Sequence, residues 1–128
     1  MKGVRARIEI DAPPSEVWKR LVEFRHWPEW GPSVRAVEAH GQAEAVAAGV
    51  TGRVQTLLRI WLPFEITSFE PGREWSWKVA GLAATGHRVI PISPSRTAVE
   101  FSVPRHFAPY VRVLDRGLQK LKTVVESG

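Results

Sequence analysis

The sequence lacks cysteine and asparagine and has a single methionine among its 128 residues. The absence of cysteine excludes a disulfide framework, zinc–cysteine sites, iron–sulfur clusters and thiol catalysis. No apolar run approaches the ~18 residues that a membrane-spanning helix needs. The N-terminal residues lead into alternating charges without the apolar core of a signal peptide, so we expect a cytoplasmic protein. The length suits one domain over residues 1–128.

Groups that bind metals and phosphates are also sparse. There is no glycine-rich phosphate loop, no G-x-S-x-G nucleophile elbow and no cluster of carboxylates. The histidines have no short metal-ligand spacing such as H-x-x-x-H. We therefore expect neither a metal site nor a cofactor. The histidines are His26, His40, His87 and His106.

The charge is basic but dispersed. The net charge is +5, from 18 basic and 13 acidic residues, and most of the basic residues are arginine. Arginine-rich charge with few thermolabile side chains indicates a thermophile, although a GC-rich genome would give the same bias. Because the aromatic residues fall on apolar faces, we expect no nucleic-acid partner. The last predicted helix carries Arg112, Arg116 and Lys120, which suit either a solvated face or transient contact with an anionic membrane surface.

The first thirty residues predict one strand and two helical segments. Apolar and charged residues alternate from Val4 to Asp11, which is the period of a strand with one buried face. Pro14 suits the first turn of a helix, and apolar residues at helical spacing predict that helix over about 14–25. Two prolines and a glycine in 27–32 then predict a short helical turn followed by a break.

Six further strands are predicted between residues 33 and 103. A small-residue loop is expected at 41–49, and Gly81 and Gly86 bracket another. The long strand 50–61 carries apolar residues on both faces, so the sequence leaves open which face points inward. Short turns between the strands predict an antiparallel, twisted sheet. The predicted strands are 34–40, 50–61, 64–69, 75–79, 87–92 and 99–103.

The C-terminal segment has the most regular helical pattern. Pro104 opens it, and apolar residues then recur every three or four positions for about 22 residues, or roughly 33 Å. The layout is thus an α+β fold in the order β-α-α-β6-α, with a seven-stranded antiparallel sheet. The long helix is the only element large enough to cover the concave face, and a straight helix over a curved sheet leaves space between them.

Four segments carry a resemblance to a known family. They are Ile10–Trp18, Trp27–Trp30, Ile66–Gly72 and Trp75–Trp77. With the layout above, they resemble the START-like polyketide cyclase/dehydrase (SRPBCC) superfamily. The resemblance implies a helix-grip fold with a hydrophobic cavity between the sheet and the C-terminal helix. Members bind sterols, lipids, polyketides or quinones, and a minority catalyse cyclisation or dehydration.

Aromatic residues dominate the candidate site. Trp27 and Trp30 lie in the break that, by resemblance, borders the cavity, and they either line it or fill the core. His87 is predicted to face inward, as an acid or base or as a structural histidine. The Tyr110 hydroxyl could donate a hydrogen bond to a ligand oxygen, or it could contact solvent at the edge of the core. The candidate ligand-binding residues are Trp27, Trp30, Phe64, Trp75, Trp77, His87, Val89, Phe101, Phe107, Tyr110 and Leu114.

Three functions remain open on the sequence. The first is binding or transport of a small hydrophobic ligand such as a lipid, quinone or polyketide, by a monomer or homodimer. The second is a polyketide cyclase or dehydratase in which His87 is the acid/base and Tyr110 holds a carbonyl or enolate oxygen. The third is a regulator that acts by protein interaction. The scarcity of inward polar groups favours the first.

Overall fold

The computed structural model describes residues 3–31 and 33–127. The strands are β1 (Val4–Ile10), β2 (Ala36–Ala39), β3 (Thr51–Gln55), β4 (Trp61–Glu70), β5 (Glu74–Val79), β6 (Leu82–Ser93) and β7 (Arg96–Val103). The helices are α1 (Pro14–Val22), α2 (Trp27–Trp30) and α3 (Val111–Ser127), with 3-10 segments at Phe24–His26, His40–Gln42 and Arg105–Tyr110. The strands form one antiparallel sheet in the order β1-β7-β6-β5-β4-β3-β2, which confirms the predicted α+β architecture.

Antiparallel pairing distributes the connections between two ends of the sheet. The β3–β4 turn at 56–60, the β5–β6 turn at 80–81 and the β7–α3 connection at 104–110 share one end. Residues 33–35, which lead into β2, reach the same end, which we call the mouth end. The β4–β5 and β6–β7 turns lie at the opposite end.

Helix α3 covers the sheet through its apolar stripe. Leu114, Leu118 and Leu121 are each at most 3% exposed, as their spacing predicts. The helix contacts β1, β7 and α2. Beneath it lies a core that α1 completes with Val17 and Leu21, both fully buried.

The C-terminal end of α3 is clamped to the end of β1. Glu126 Oε2 accepts hydrogen bonds from the backbone N–H of Asp11 at 2.8 Å and from Lys122 Nζ at 2.6 Å. Lys122 Nζ also donates to the Glu9 carbonyl at 3.0 Å. These bonds hold the helix at the end of the sheet opposite the mouth end.

The first helix is shorter than the predicted 14–25. It ends at Val22, and Glu23 is extended. The chain leaves the helix because its backbone pairs with a distant segment: Phe24 N–H donates to Glu44 O at 3.0 Å, and Val46 N–H donates to Val22 O at 2.8 Å. Helical spacing continues through Phe24 because that residue is buried in the 3-10 segment that follows.

The strand predicted over 50–61 is confirmed only for Thr51–Gln55, and its continuation through 56–60 is wrong. β3 ends at Gln55, and residues 56–60 form a turn in which Thr56 N–H donates to Ile60 O and Arg59 N–H to Thr56 O, both at 2.9 Å. Arg59 takes a left-handed φ of 65°. Leu58 and Ile60 are 81% and 53% exposed, so they do not share the buried face of Val54. β4 accordingly begins at Trp61.

The loop predicted between Gly81 and Gly86 is largely strand. Only Ala80 and Gly81 form the turn, both with positive φ, and β6 begins at Leu82. Gly86 is a close-packing position, because a Cβ there would lie 2.6 Å from Ser102 Oγ. Helical structure begins after Pro104 as predicted, but Arg105–Tyr110 is a 3-10 segment with non-helical backbone angles at Phe107, and α3 itself begins only at Val111.

Candidate ligand-binding site

A cavity of about 350 Å³ lies between the concave sheet face and the start of α3. It opens at the mouth end, where Leu82, Phe107 and Tyr110 in its lining are 61%, 39% and 38% exposed. The volume falls in the lower part of the ~300–1,000 Å³ range of ordinary ligand pockets. Its wall is mainly apolar and comprises Trp27, Trp30, Gly31, Ser33, Val34, Val54, Thr56, Leu62, Trp75, Trp77, Val79, Leu82, Ala83, Ala84, Thr85, His87, Phe101, Val103, Phe107, Tyr110, Val113, Leu114 and Gly117.

Three stacked rings form the deep wall of the cavity. Trp27 and Trp75 lie nearly parallel, with ring centroids 5.3 Å apart and planes at 4°. On the other side of Trp75, His87 stacks at 3.8 Å and 18°. Trp77 meets Trp27 edge-on at 5.1 Å, and Phe101 meets His87 edge-on at 5.0 Å. Such offset-stacked and edge-to-face contacts are the favoured aromatic geometries, so the rings of this wall stabilise one another.

Two of the indoles are also fixed by hydrogen bonds to α1. Trp27 Nε1 donates to the Leu21 carbonyl at 2.9 Å, and Trp30 Nε1 donates to the Arg20 carbonyl at 2.8 Å. These carbonyls belong to the last turn of the helix, where backbone acceptors lack intrahelical partners. The short segment α2 is therefore held against the end of α1 with its indoles facing the cavity.

Three side chains of the deep wall, those of Trp77, Thr85 and His87, bond to one another, whereas Trp75 Nε1 finds no acceptor among the described residues. Trp77 Nε1 donates to Thr85 Oγ1 at 2.8 Å, and Thr85 Oγ1 lies 3.2 Å from His87 Nε2. His87 Nδ1 lies 3.4 Å from the carbonyl of Trp75, which can only accept. The neutral imidazole is thus protonated at Nδ1, and its Nε2 accepts from the Thr85 hydroxyl.

Burial keeps this imidazole uncharged. His87 is 4% exposed, and desolvation lowers its pKa to about 3, against the opposing effect of its hydrogen bond to Trp75. Both ring nitrogens are occupied by wall residues. His87 therefore presents neither a proton nor a free lone pair to a molecule in the cavity at neutral pH.

Hydroxyl groups mark the mouth of the cavity instead. Ser33 Oγ and Tyr110 OH lie 3.1 Å apart and both belong to exposed residues of the lining. Each hydroxyl has one proton and two lone pairs, so the pair retains hydrogen-bonding capacity after bonding to each other. The cavity is thus apolar at its base and polar at one point of its rim.

Most of the predicted ligand-binding residues line this cavity, but Phe64 and Val89 lie behind its lining. Phe64 is 3% exposed and supports the indoles of Trp27 and Trp77 at 5.9 Å and 5.6 Å. Val89 is also 3% exposed and pairs with Val99 between β6 and β7. Both are core residues that back the cavity.

Several lining residues were missed from the sequence. Thr85 follows from the period-two alternation with His87, once Gly86 is recognised as a strand residue. Val54 settles which face of β3 points inward. Ser33 had no sequence signal, because it lies 77 positions from Tyr110 and meets it only through the fold.

Among the described residues, no group of three or more histidines and carboxylates has the geometry of a metal site. No described helix combines the length and hydropathy needed to cross a membrane.

Comparison with solved structures shows the same fold in proteins of low sequence identity. The ZhuI aromatase/cyclase from Streptomyces sp. R1128 is similar at a TM-score of 0.72 and 13% identity, over 98% of this chain and 93% of that one. XoxI from Bacillus cereus has a TM-score of 0.74 at 15% identity, over 98% and 96% of the two chains. Norcoclaurine synthase from Thalictrum flavum has a TM-score of 0.62 at 12% identity, over 98% and 94%. No curated protein matches in sequence.

The family model described as polyketide cyclase/dehydrase and lipid transport matches residues 1–126, nearly the whole chain. This match confirms the resemblance found in the sequence, and the shared architecture confirms the helix-grip fold. It supports a role in hydrophobic-ligand binding or in cyclisation. The chain belongs to the polyketide cyclase/dehydrase and lipid transport family.

Proposed function

We propose that the protein binds a small, mainly apolar molecule that carries one oxygen-bearing polar end. The observation that carries this proposal is the cavity of about 350 Å³, whose deep wall is aromatic and in which the side chains of Trp77, Thr85 and His87 are bonded to one another. Burial of apolar ligand surface would supply the affinity, at ~25 cal/mol per Å².

The position of the free hydroxyls sets the orientation of the ligand. Ser33 and Tyr110 are at the mouth, whereas Trp75 and His87 form the base. An apolar ligand body therefore lies against the stacked rings, and its oxygen remains at the rim near the two hydroxyls. A few placed polar groups in an apolar pocket commonly fix orientation in this way.

The bonding of His87 favours binding over acid/base catalysis. A general base needs a free lone pair and a pKa near the working pH. The Nε2 lone pair of His87 faces Thr85, and desolvation lowers the pKa of the ring to about 3. The cyclase alternative would thus have to work without proton transfer by His87.

Intrinsic tryptophan fluorescence tests the proposal, because Trp27, Trp30, Trp75 and Trp77 all line the cavity. We expect a saturable change on titration with 1-naphthol, used as a probe of matching polarity. Val54→Phe places a larger side chain in the cavity, at a stability cost of about 1–3 kcal/mol, and should abolish that change.

Ile92→Phe is the matched control, since Ile92 is 45% exposed and lies toward the opposite end of the sheet. It should titrate like the wild type. Equal naphthol binding by a folded Val54→Phe variant would place the ligand elsewhere and contradict the proposal.

A further inference from the structure

Exposed apolar side chains are concentrated at the mouth end. Leu57 and Leu58 in the β3–β4 turn are 65% and 81% exposed. Of the large apolar side chains that the described part of the chain exposes, only Ile92 lies elsewhere. The others, which we call the apolar rim, are Leu57, Leu58, Ile60, Leu82, Phe107 and Tyr110.

The apolar rim is continuous with the cavity. A second hollow lies under the β3–β4 turn, lined by Ser33, Thr56, Leu57, Leu58, Ile60 and Leu62. Ser33, Thr56 and Leu62 belong to the cavity wall as well. An apolar surface thus runs from the tip of the turn to the entrance of the cavity.

The charge around the rim has one sign. The segments 31–35, 56–60, 78–84 and 103–112 contain no aspartate or glutamate, although the chain has 13 acidic residues. Within residues 3–31 and 33–127, none of their exposed cations takes part in an ion pair. These cations are Arg35, Arg59, Lys78, Arg105 and Arg112.

The opposite end has a different character. There Arg73 pairs with Glu70 at 3.6 Å, and Arg96 pairs with Glu9 at 2.9 Å. Its cations are thus neutralised by neighbouring carboxylates. Of the exposed lysines and arginines outside ion pairs in the described part of the chain, five therefore lie at the end that also exposes leucines, and the other two, Arg116 and Lys120, lie further along α3.

We propose that the mouth end docks on an anionic lipid bilayer, with the β3–β4 turn inserted among the headgroups and acyl chains. Exposed leucines at a loop tip suit the headgroup boundary, and unpaired arginines suit anionic lipid. A soluble acidic partner would satisfy the cations but would leave Leu57, Leu58 and Ile60 without apolar contacts. The sequence suggested membrane contact only for the helix face that carries Arg112, Arg116 and Lys120. The proposed docking site is instead the surface that surrounds the cavity entrance, to which Arg112 belongs.

Co-sedimentation with vesicles tests this proposal. We expect binding to phosphatidylcholine vesicles that contain phosphatidylglycerol, weaker binding to phosphatidylcholine alone, and loss of binding at high salt. The triple variant Leu57→Ser, Leu58→Ser, Ile60→Ser should lose binding. Its matched control is Ile92→Ser, which alters an exposed isoleucine outside the rim and should bind like the wild type.

The electrostatic part has its own matched pair. Arg59→Gln should weaken binding about fivefold, the effect of one cation near an anionic surface. Arg73→Gln, with the same change in net charge at the opposite end, should leave it unchanged. Equal effects of the two variants would show that net charge, not the mouth end, attracts the protein, and would overturn the proposal.

Two alternative occupants give distinct results. A second copy would appear in light scattering as a concentration-dependent dimer that the triple serine variant abolishes, in the absence of vesicles. A soluble acidic partner would be indicated by binding of polyglutamate that the triple variant retains, together with no vesicle binding. Either result would overturn lipid docking. Naphthol titration of the triple variant, whose substitutions lie outside the cavity wall, tests the proposed function separately.

Discussion

The rings of His87 and Trp75 stack at 3.8 Å, while the imidazole also donates to the backbone of the same tryptophan. The histidine is thus held by the residue on which it lies, and Thr85 occupies its remaining nitrogen. This arrangement makes His87 a structural part of an aromatic wall. Because folding buries the ring, folding also lowers the pKa of His87 and keeps the ring uncharged.

The pH dependence of stability should report the burial of His87. Its pKa is about 3 in the folded protein and 6.5 as the ordinary value, so the unfolded chain binds the extra proton between these limits. The free energy of unfolding should therefore fall as pH drops below 6.5, with a slope approaching ~1.4 kcal/mol per pH unit from this residue.

His87→Gln provides the comparison for that slope, because glutamine does not titrate in this range. Urea unfolding at a series of pH values should show a shallower acid loss in the variant than in the wild type. Exposed carboxylates such as Glu126 contribute equally to both proteins and cancel in the difference. Identical slopes would mean that His87 can be protonated within the folded protein.

Two buried tryptophans should respond differently to the same substitution. Trp27 and Trp75 are both 1% exposed, but Trp27 Nε1 donates to Leu21 O, whereas Trp75 Nε1 finds no acceptor among the described residues. Trp27→Phe leaves the Leu21 carbonyl without its hydrogen-bond donor, whereas Trp75→Phe removes an N–H that has no acceptor. We expect Trp27→Phe to lose about 1–3 kcal/mol more stability in urea unfolding. Equal losses would argue against this difference in bonding.

The hydroxyl pair at the mouth should discriminate between ligands that differ by one oxygen. Tyr110→Phe should weaken 1-naphthol binding about fivefold, the value of one ordinary hydrogen bond, and leave naphthalene binding unchanged. Ser33→Ala should act in the same direction. If Tyr110→Phe weakens both probes equally, the tyrosine contributes contact area and the polar end of the ligand lies elsewhere.

Close packing at Gly52 should make the β2–β3 pair intolerant of a side chain. A Cβ on Gly52 would lie 2.3 Å from the Glu38 carbonyl and 2.9 Å from the Phe64 ring. We expect Gly52→Ala to lower stability by about 3 kcal/mol in thermal or urea unfolding. Gly49 has open space around it but a φ of +77°, so Gly49→Ala should cost only about 1 kcal/mol. A neutral Gly52→Ala would show that β2 moves freely at the sheet edge.

The sequence predicted those elements in which hydrophobic periodicity and burial coincide. β1 alternates along its length and β7 alternates from Val99 to Val103, because one face of each packs beneath α3. The strand prediction from the sequence is wrong at 56–60, because Leu57, Leu58 and Ile60 are apolar residues typical of a strand but are exposed in a turn. The opposite error occurred at Gly86, which suggested a loop but lies inside β6 beside the side chain of Ser102.

The candidate site was predictable in its composition but not in its bonding. Tryptophans near chain breaks and on alternating positions marked the aromatic wall. The partners of His87 depended on two neighbouring strands, because Thr85 lies on its own strand while Trp75 lies on β5. The Ser33–Tyr110 pair depended on the whole fold. Local patterns carry no information about contacts of that range.

The clamp formed by Glu126 and Lys122 holds the C-terminal end of α3, whereas the cavity entrance lies at the other end of the helix. Lys122 and Glu126 lie about 17 and 23 Å along the helix from Val111, which is beside the cavity entrance. A small change in the tilt of α3 at this clamp would therefore produce a larger displacement of the start of the helix, beside the entrance. The residues that form these bonds lie outside the cavity lining, so a bound ligand would not contact them.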